Sequence, residues 1–299
     1  MSAPIPVPGP LLIDPTILAQ IVALGLLLGA IYGFVALGLT IVFGVMGVVN
    51  LAHGAFTVVG MYVVWFVADT LGLSPFLGIP LAGLTLFVLG VLIQRATIAP
   101  VLEASKGASV LVTMAILVIL VALVEMTFSA TPRELEVGKG SFEVGGVFFP
   151  AGQVYALAAA AVTFLVVWAF LRRTHTGRAI RATADDRVNA AYAGIDVARI
   201  DYLTFGLGAG LAGLAGALVT FIQPFDPFLG HEYLTIAFVV VVLGGLGSIP
   251  GTLLGGLLVG LLHVFGSFYL PGSYYQVLIL SVFILVLLLR PAGLMGDAG

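Results

Sequence analysis

Apolar runs, separated by short polar or glycine-rich breaks, recur from Ile17 to Leu289. Runs of about 20 apolar residues match helices crossing a hydrocarbon core of about 30 Å. The pattern predicts helices at Ile17–Phe34, Pro80–Gln94, Ser109–Phe128, Val154–Leu171, Tyr202–Ile222 and Tyr274–Leu289. Two further stretches, Val35–Val67 and Leu234–Phe268, are too long for one simple crossing and carry a break near the middle. Each reads either as two crossings or as a crossing plus a re-entrant half-helix. The expectation is an all-α polytopic bundle of about eight to ten membrane segments, two of them interrupted. The breaks hold comparable places early and late in the chain, the pattern expected of an inverted repeat.

The first break contains Gly47, Asn50, His53 and Gly54, and the second contains Gly245, Gly247, Ser248 and Pro250. Glycine loosens a helix, and Pro250 removes a backbone donor. Asn50 and His53 bring polar groups to membrane depth, where such groups face a bundle interior or a water-filled path. Gly25, Gly29 and Gly33 fall on one helix face, as do the pairs Gly251/Gly255 and Gly256/Gly260, a spacing suited to close backbone approach. The EVGGVFF segment within Ser129–Gly152 alternates and suits a small hairpin. Gln223–Tyr233, with Asp226 and Glu232 and no Lys or Arg, reads as an external turn.

One stretch departs from this apolar pattern. Leu171–Ile200 holds six of the eleven basic residues, Arg172, Arg173, Arg178, Arg181, Arg187 and Arg199, together with Asp185, Asp186 and Asp196. Its basic excess puts it in the cytoplasm, with the Arg95–Gly107 loop and Arg290 on the same side. Thr183, followed by Asp185 and Asp186, resembles a capping box, and Gly194 stands where a helix would end. A short helix over Ala184–Ala193 is therefore expected. It would carry an apolar stripe of Ala184, Val188, Ala191 and Tyr192, resting either on the protein's own helix ends or in a partner's groove.

Composition agrees with a membrane location. The chain of 299 residues is 61% hydrophobic and 8% charged, against about 25% charged in soluble domains. Residues 1–16 are proline-rich and read as a short lead-in without a basic signal region, and 17–295 as one membrane domain with the polar loop 171–201. With no cysteine, disulfide and thiolate chemistry are excluded. No phosphate-binding GxxxxGKS/T loop and no HExxH pair is present, and the four histidines are scattered. Catalytic and metal sites are not expected, nor is nucleic-acid binding. If ATP drives the protein, another chain must bind it.

Taken together, GLTIVFGVMGVVNLAHGAF at Gly38–Phe56, THTGRAIRATADDRVNAAYAGID at Thr174–Asp196 and VVLGGLGSIPGTLLGG at Val241–Gly256 resemble the LivH-type permease subunit of branched-chain amino acid ABC importers. The resemblance extends from about Ile17 to Met295. It implies a cell-membrane permease subunit without its own ATPase. Two cytoplasmic ATPase subunits would bind ATP and Mg. A LivM-like second permease chain, or a copy of this one, would complete the pore, and an extracytoplasmic binding protein would deliver solute. It also implies that the 171–201 loop carries the helix that contacts the ATPase, through Thr183, Asp185, Asp186, Arg187, Val188, Ala191, Tyr192 and Gly194, and that the two breaks border the translocation path. On the residues alone, an ion-coupled transporter or channel stays open as an alternative.

Overall fold

The computed structural model describes residues 14–102, 106–135 and 137–296. The expected lead-in therefore falls outside the described residues up to residue 13, as do Glu103 and Glu136. Helix α1 spans Pro15–Met46. Asp14 caps it through the Thr16 amide at 2.9 Å, and proline occupies the first helical position, where no N–H is needed. At 32 residues it is about 48 Å long, well beyond one hydrocarbon core. The first apolar run thus continues through what the sequence pattern split at Phe34. α1 ends at Gly47, whose φ of 64° is the left-handed conformation glycine adopts without strain, and whose N–H bonds Phe43 O at 2.8 Å.

Helix α2 (His53–Trp65) continues through a π-helical turn, Phe66–Thr70. Helix α3 (Pro75–Ile93) runs on through a second π-helical turn, Gln94–Ile98, into α4 (Ala99–Leu102). Arg95, expected in a loop, therefore sits on a helix, and Pro80 lies inside α3 rather than at its start. Helix α5 (Lys106–Phe128) leads to a hairpin of β1 (Ser141–Val144) and β2 (Val147–Pro150). Gly145 and Gly146 turn it with φ of 62° and 82°, the signature of a tight two-residue hairpin. Gln20 latches it to α1, accepting from Phe148 N at 2.7 Å and donating to Phe148 O at 2.6 Å.

Helix α6 (Ala151–Arg173) returns to the basic side, where two short helices lie, α7 (His175–Asp185) and α8 (Arg187–Tyr192). Then follow α9 (Val197–Val219), α10 (Leu229–Gly244), α11 (Ile249–Tyr269) and α12 (Tyr274–Leu289). Among the described residues six helical segments are long and apolar enough to cross a membrane, and α10 and α12 are shorter apolar helices. With α2 and its π-helical extension, nine passes are made among the described residues. Placing Arg172, Arg173 and Arg178 inside puts the described N-terminal end of the chain outside.

Two helices form the centre. In both α1 and α9, 78% of the most apolar window is buried, against 22% in α6. α1 packs along α11 as α9 packs along α3, α1 crosses α9, and α2 crosses α10. The order α1-α2-α3-α5 runs in-out-in-out, and α9-α10-α11-α12 runs the reverse, so the inverted repeat is present with α6 as its connector. A side chain on Gly38 would meet Gly208 O at 2.5 Å, and one on Gly230 would meet Gly54 O at 2.5 Å. These pairs mark where equivalent helices cross. The repeat therefore matches the 47–52 break with the 220–228 connection, because the 47–52 and 245–248 breaks both turn in the same sense.

The glycine stripes find one another. Gly25, Gly29 and Gly33 face Gly256, Gly260 and the α11 backbone between Thr252 and Leu261. Without a solvent-driven force between helices in lipid, such close backbone contact supplies the attraction. A hydroxyl pair, Thr40 to Thr252 at 2.6 Å, is buried lower in the same seam.

Candidate functional site

The polar stretch at 171–201 folds as an elbow on the cytoplasmic ends of the bundle. Thr174 caps α7 by accepting from Gly177 N at 2.9 Å. Gly177, Ile180 and Thr183 are buried, seating one face of α7 on the bundle. Thr183 is thus not a cap. Its hydroxyl donates to Ala179 O at 2.9 Å within the last full turn of α7. Asp185 ends α7, and Asp186 begins α8 by accepting from Val188 N and Asn189 N at 2.8 and 3.0 Å. The single helix expected over Ala184–Ala193 is therefore two helices hinged at Asp186. Both Thr183 and Asp186 are good capping residues. Burial of Thr183 on the bundle-facing side of α7 settles the choice. Gly194 ends α8 region as expected, with φ of 82°.

On this elbow Ala184, Val188, Ala191 and Tyr192 are exposed, with Val188 61% and Tyr192 85% accessible, while Ala190 is buried. The stripe therefore does not rest on the protein's own helix ends.

Arg187 fastens the elbow. Its guanidinium donates to both carboxylate oxygens of Asp201 in α9, at 3.0 and 2.7 Å, and to Val45 O at 3.0 Å. Val45 O belongs to the last turn of α1, where carbonyls lack helical donors and positive charge is favoured. One side chain thus ties α8 to both central helices. Asp201 is 6% exposed, and a charge so buried requires such a partner. Sequence reasoning missed Asp201, because fourteen residues of separation gave no helical spacing to join it to Arg187. Beside the pair lies Gln94, buried in the π-helical turn with neither amide atom hydrogen-bonded.

The two interruptions differ in setting. Asn50, His53 and Gly54 are buried, whereas Gly47 is half-buried. Asn50 Oδ1 accepts from Ala52 N at 3.1 Å, shaping the turn into α2. His53 Nε2 lies 2.8 Å from Val35 O, which assigns the proton to that nitrogen. The second break is a turn in which Gly245 and Gly247 adopt φ of 104° and 83°. Ser248 caps α11 by accepting from Gly251 N at 3.1 Å, and Pro250 occupies its first turn. Gly44 faces Gly247, so the end of α1 touches the second break. A cavity of about 430 Å³ separates them from α7, bordered by Gly44, Ile180, Arg181, Asp185, Gly247 and Ser248.

Glu232 stands elsewhere than expected. It lies in the first turn of α10, not in the external connection, since α10 begins at Leu229. Asp226 forms that connection's turn, accepting from Phe228 N at 2.7 Å.

A polytopic apolar bundle with inverted halves, glycine-packed central helices and a fastened cytoplasmic elbow defines a multi-pass membrane permease. Residues 21–287 match the family described as branched-chain amino acid transport system / permease component. The chain belongs to that family. It is 32% identical over 287 residues to the high-affinity branched-chain amino acid transport system permease protein LivH of Salmonella typhimurium, covering 91% of this chain and 93% of that one. It is also 32% identical to BraD, the corresponding permease protein of Pseudomonas aeruginosa, covering 91% and 94%. In fold it resembles the structure of PsaBC from Streptococcus pneumoniae in complex with Fab, with a TM-score of 0.51 at 16% identity over 89% of this chain and 90% of that one.

Proposed function

We infer that this chain, acting as one permease domain over 17–295, is the membrane subunit of an ATP-driven importer of branched-chain amino acids. The observation that carries the reading is the elbow: an exposed Val188–Tyr192 surface on a helix fastened by Arg187 to α9 and α1. Large apolar side chains exposed on a cytoplasmic helix suit burial in a partner's groove. Two cytoplasmic ATPase subunits would hold ATP and Mg and dock there. This chain would hold neither. A second permease chain, LivM-like or a copy of this one, would complete the path in the cell membrane, and an extracytoplasmic binding protein would supply solute. The two relatives, both high-affinity branched-chain amino acid transport permease proteins, support the substrate class.

The mechanism follows from the fastening. When the ATPases close on ATP, the docked elbow moves. Arg187 conveys that displacement to the base of α9 and the end of α1. α7 moves against the cavity that separates it from Gly247 and Ser248. The breaks at Gly47–Gly54 and Gly245–Pro250 then rearrange and border the path in alternate states, Asn50, His53 and Gly54 becoming accessible only on rearrangement.

Val188→Asp and Tyr192→Asp test the docking. Membrane insertion is expected to persist while ATPase association and uptake fall. Unaltered association in both variants refutes docking at this surface. Single cysteines at Asn50, His53 and Ser248, in a chain that has none, test the path. Protection of all three from small polar thiol reagents in every nucleotide state refutes it.

A further inference from the structure

Near the outer ends of α10, α11 and α12 lies a cavity of about 280 Å³ that no element of the coupling machinery uses. Its polar border includes Glu232, His263 and Gln276, and its apolar border Ile236, Val239 and Leu280. The depth follows from the helices. His263 stands six residues before the outer end of α11, about 9 Å inward. Tyr275, in the first turn of α12, packs on the His263 ring at a centroid distance of 4.2 Å.

Glu232 is half-buried, and among the described residues its carboxylate has no hydrogen-bond or ion-pair partner. A carboxylate in an apolar membrane helix is costly unless something cationic meets it. His263 is held on its other side, with Nδ1 2.8 Å from the Tyr32 hydroxyl, and among the described residues its Nε2 has no hydrogen-bond partner. His231 and Thr235 border the same space from α10. Acid, donors and aliphatic wall thus surround one small space. An ordinary lipid-facing surface has no use for that combination.

We propose that this cavity is the subunit's own recognition site for a small zwitterionic amino acid with a branched aliphatic side chain. Glu232 receives the ammonium group, His263 and Gln276 face the carboxylate, and Ile236, Val239 and Leu280 contact the side chain. The volume, about 280 Å³, falls just below the range of drug-sized ligand pockets, about 300–1,000 Å³, as suits a ligand as small as an amino acid. Its partial opening suits a site that must release what it accepts. The assignment of the solute rests on the function inferred above. The cation preference of the cavity does not.

The test uses the assembled importer carrying Thr235→Cys, one helical turn from Glu232 and the sole cysteine of this chain. Modification by 2-aminoethyl methanethiosulfonate is expected to outpace modification by the neutral methyl reagent by about tenfold, beyond their ratio in solution. Glu232→Gln, nearly isosteric, should abolish that preference. Leucine should slow the modification. In an otherwise unaltered chain, Glu232→Gln should raise the KM for leucine by about tenfold, with Glu232→Asp recovering part of it. If the parent chain takes up leucine and neither labelling preference nor KM responds to Glu232→Gln, the cavity assignment is overturned while the transport function stands. If the parent takes up no branched-chain amino acid, the transport function and the proposed ligand both fall, whatever the labelling shows.

Discussion

Replacing Arg187 by Met keeps the length and much of the volume of the side chain but removes every donor. The variant leaves Asp201, 6% exposed, without its bidentate partner, and Val45 O without its donor. Breaking a fully buried ion pair from one side costs about 3–5 kcal/mol. The Arg187 side chain is 38% exposed, so water screens the pair and the lower part of a discounted range applies, about 2 kcal/mol. The lost bond to Val45 O adds about 1 kcal/mol. Release of α8 from the bundle should then become easier by about 3 kcal/mol, or roughly a hundredfold. Hydrogen exchange of peptides covering α7 and α8, in detergent or nanodiscs, reads this directly. Exchange over Arg187–Tyr192 should accelerate steeply, while α1 and α9 keep their protection. ATP hydrolysis by the assembled importer should continue with less solute moved per ATP. Arg187→Lys should recover only part of the effect, because an ammonium cannot fork to both oxygens. A double variant with Asp201→Leu should be milder than the sum of the two singles. Unchanged exchange in Arg187→Met, or strict additivity in the double variant, would refute the fastening.

Other perturbations follow from the same packing. Gly29→Ala places a methyl against the α11 backbone at Leu257 and Gly256, within 3 Å. It should cost about 1–3 kcal/mol by overpacking and lower the midpoint of thermal denaturation in detergent, whereas Gly72→Ala, with open space around it, should act only through its positive φ. Tyr192→Ala should leave thermal stability within about 0.5 kcal/mol, since the side chain is 85% exposed, while weakening ATPase binding in a pull-down. Gln20→Ala removes both hydrogen bonds to Phe148. It should make the hairpin more susceptible to protease added from outside, with little change in transport.

Much of this was legible in the residues. Apolar run length and scarce charge dictated a helical membrane bundle. Clustered arginines assigned the inner side. Gly145–Gly146 marked the hairpin, because the turn needs positive φ and glycine supplies it without steric cost. Gly194 marked a helix end for the same reason, whereas Gly47, read only as part of a break, proved to end α1. The exposed stripe on the elbow was visible as spacing, although its division into α7 and α8 was not. Two adequate caps stood three residues apart, and local chemistry could not rank them.

What tertiary structure alone decided is which distant groups meet. The glycine stripes at Gly25–Gly33 and Gly256–Gly260 were each recognisable, but their pairing depends on how the inverted halves interlock. Glu232 reads as loop in sequence, since it follows Pro224, Asp226 and Pro227 in a segment without Lys or Arg, yet α10 begins early enough to carry it into the bundle. Asp201 acquires its partner only when the elbow folds back beneath α1 and α9. Periodicity is written in one helix at a time and reports which face is apolar. The identity of the opposing face is set by packing between helices, and the chemistry of this chain lies in those oppositions.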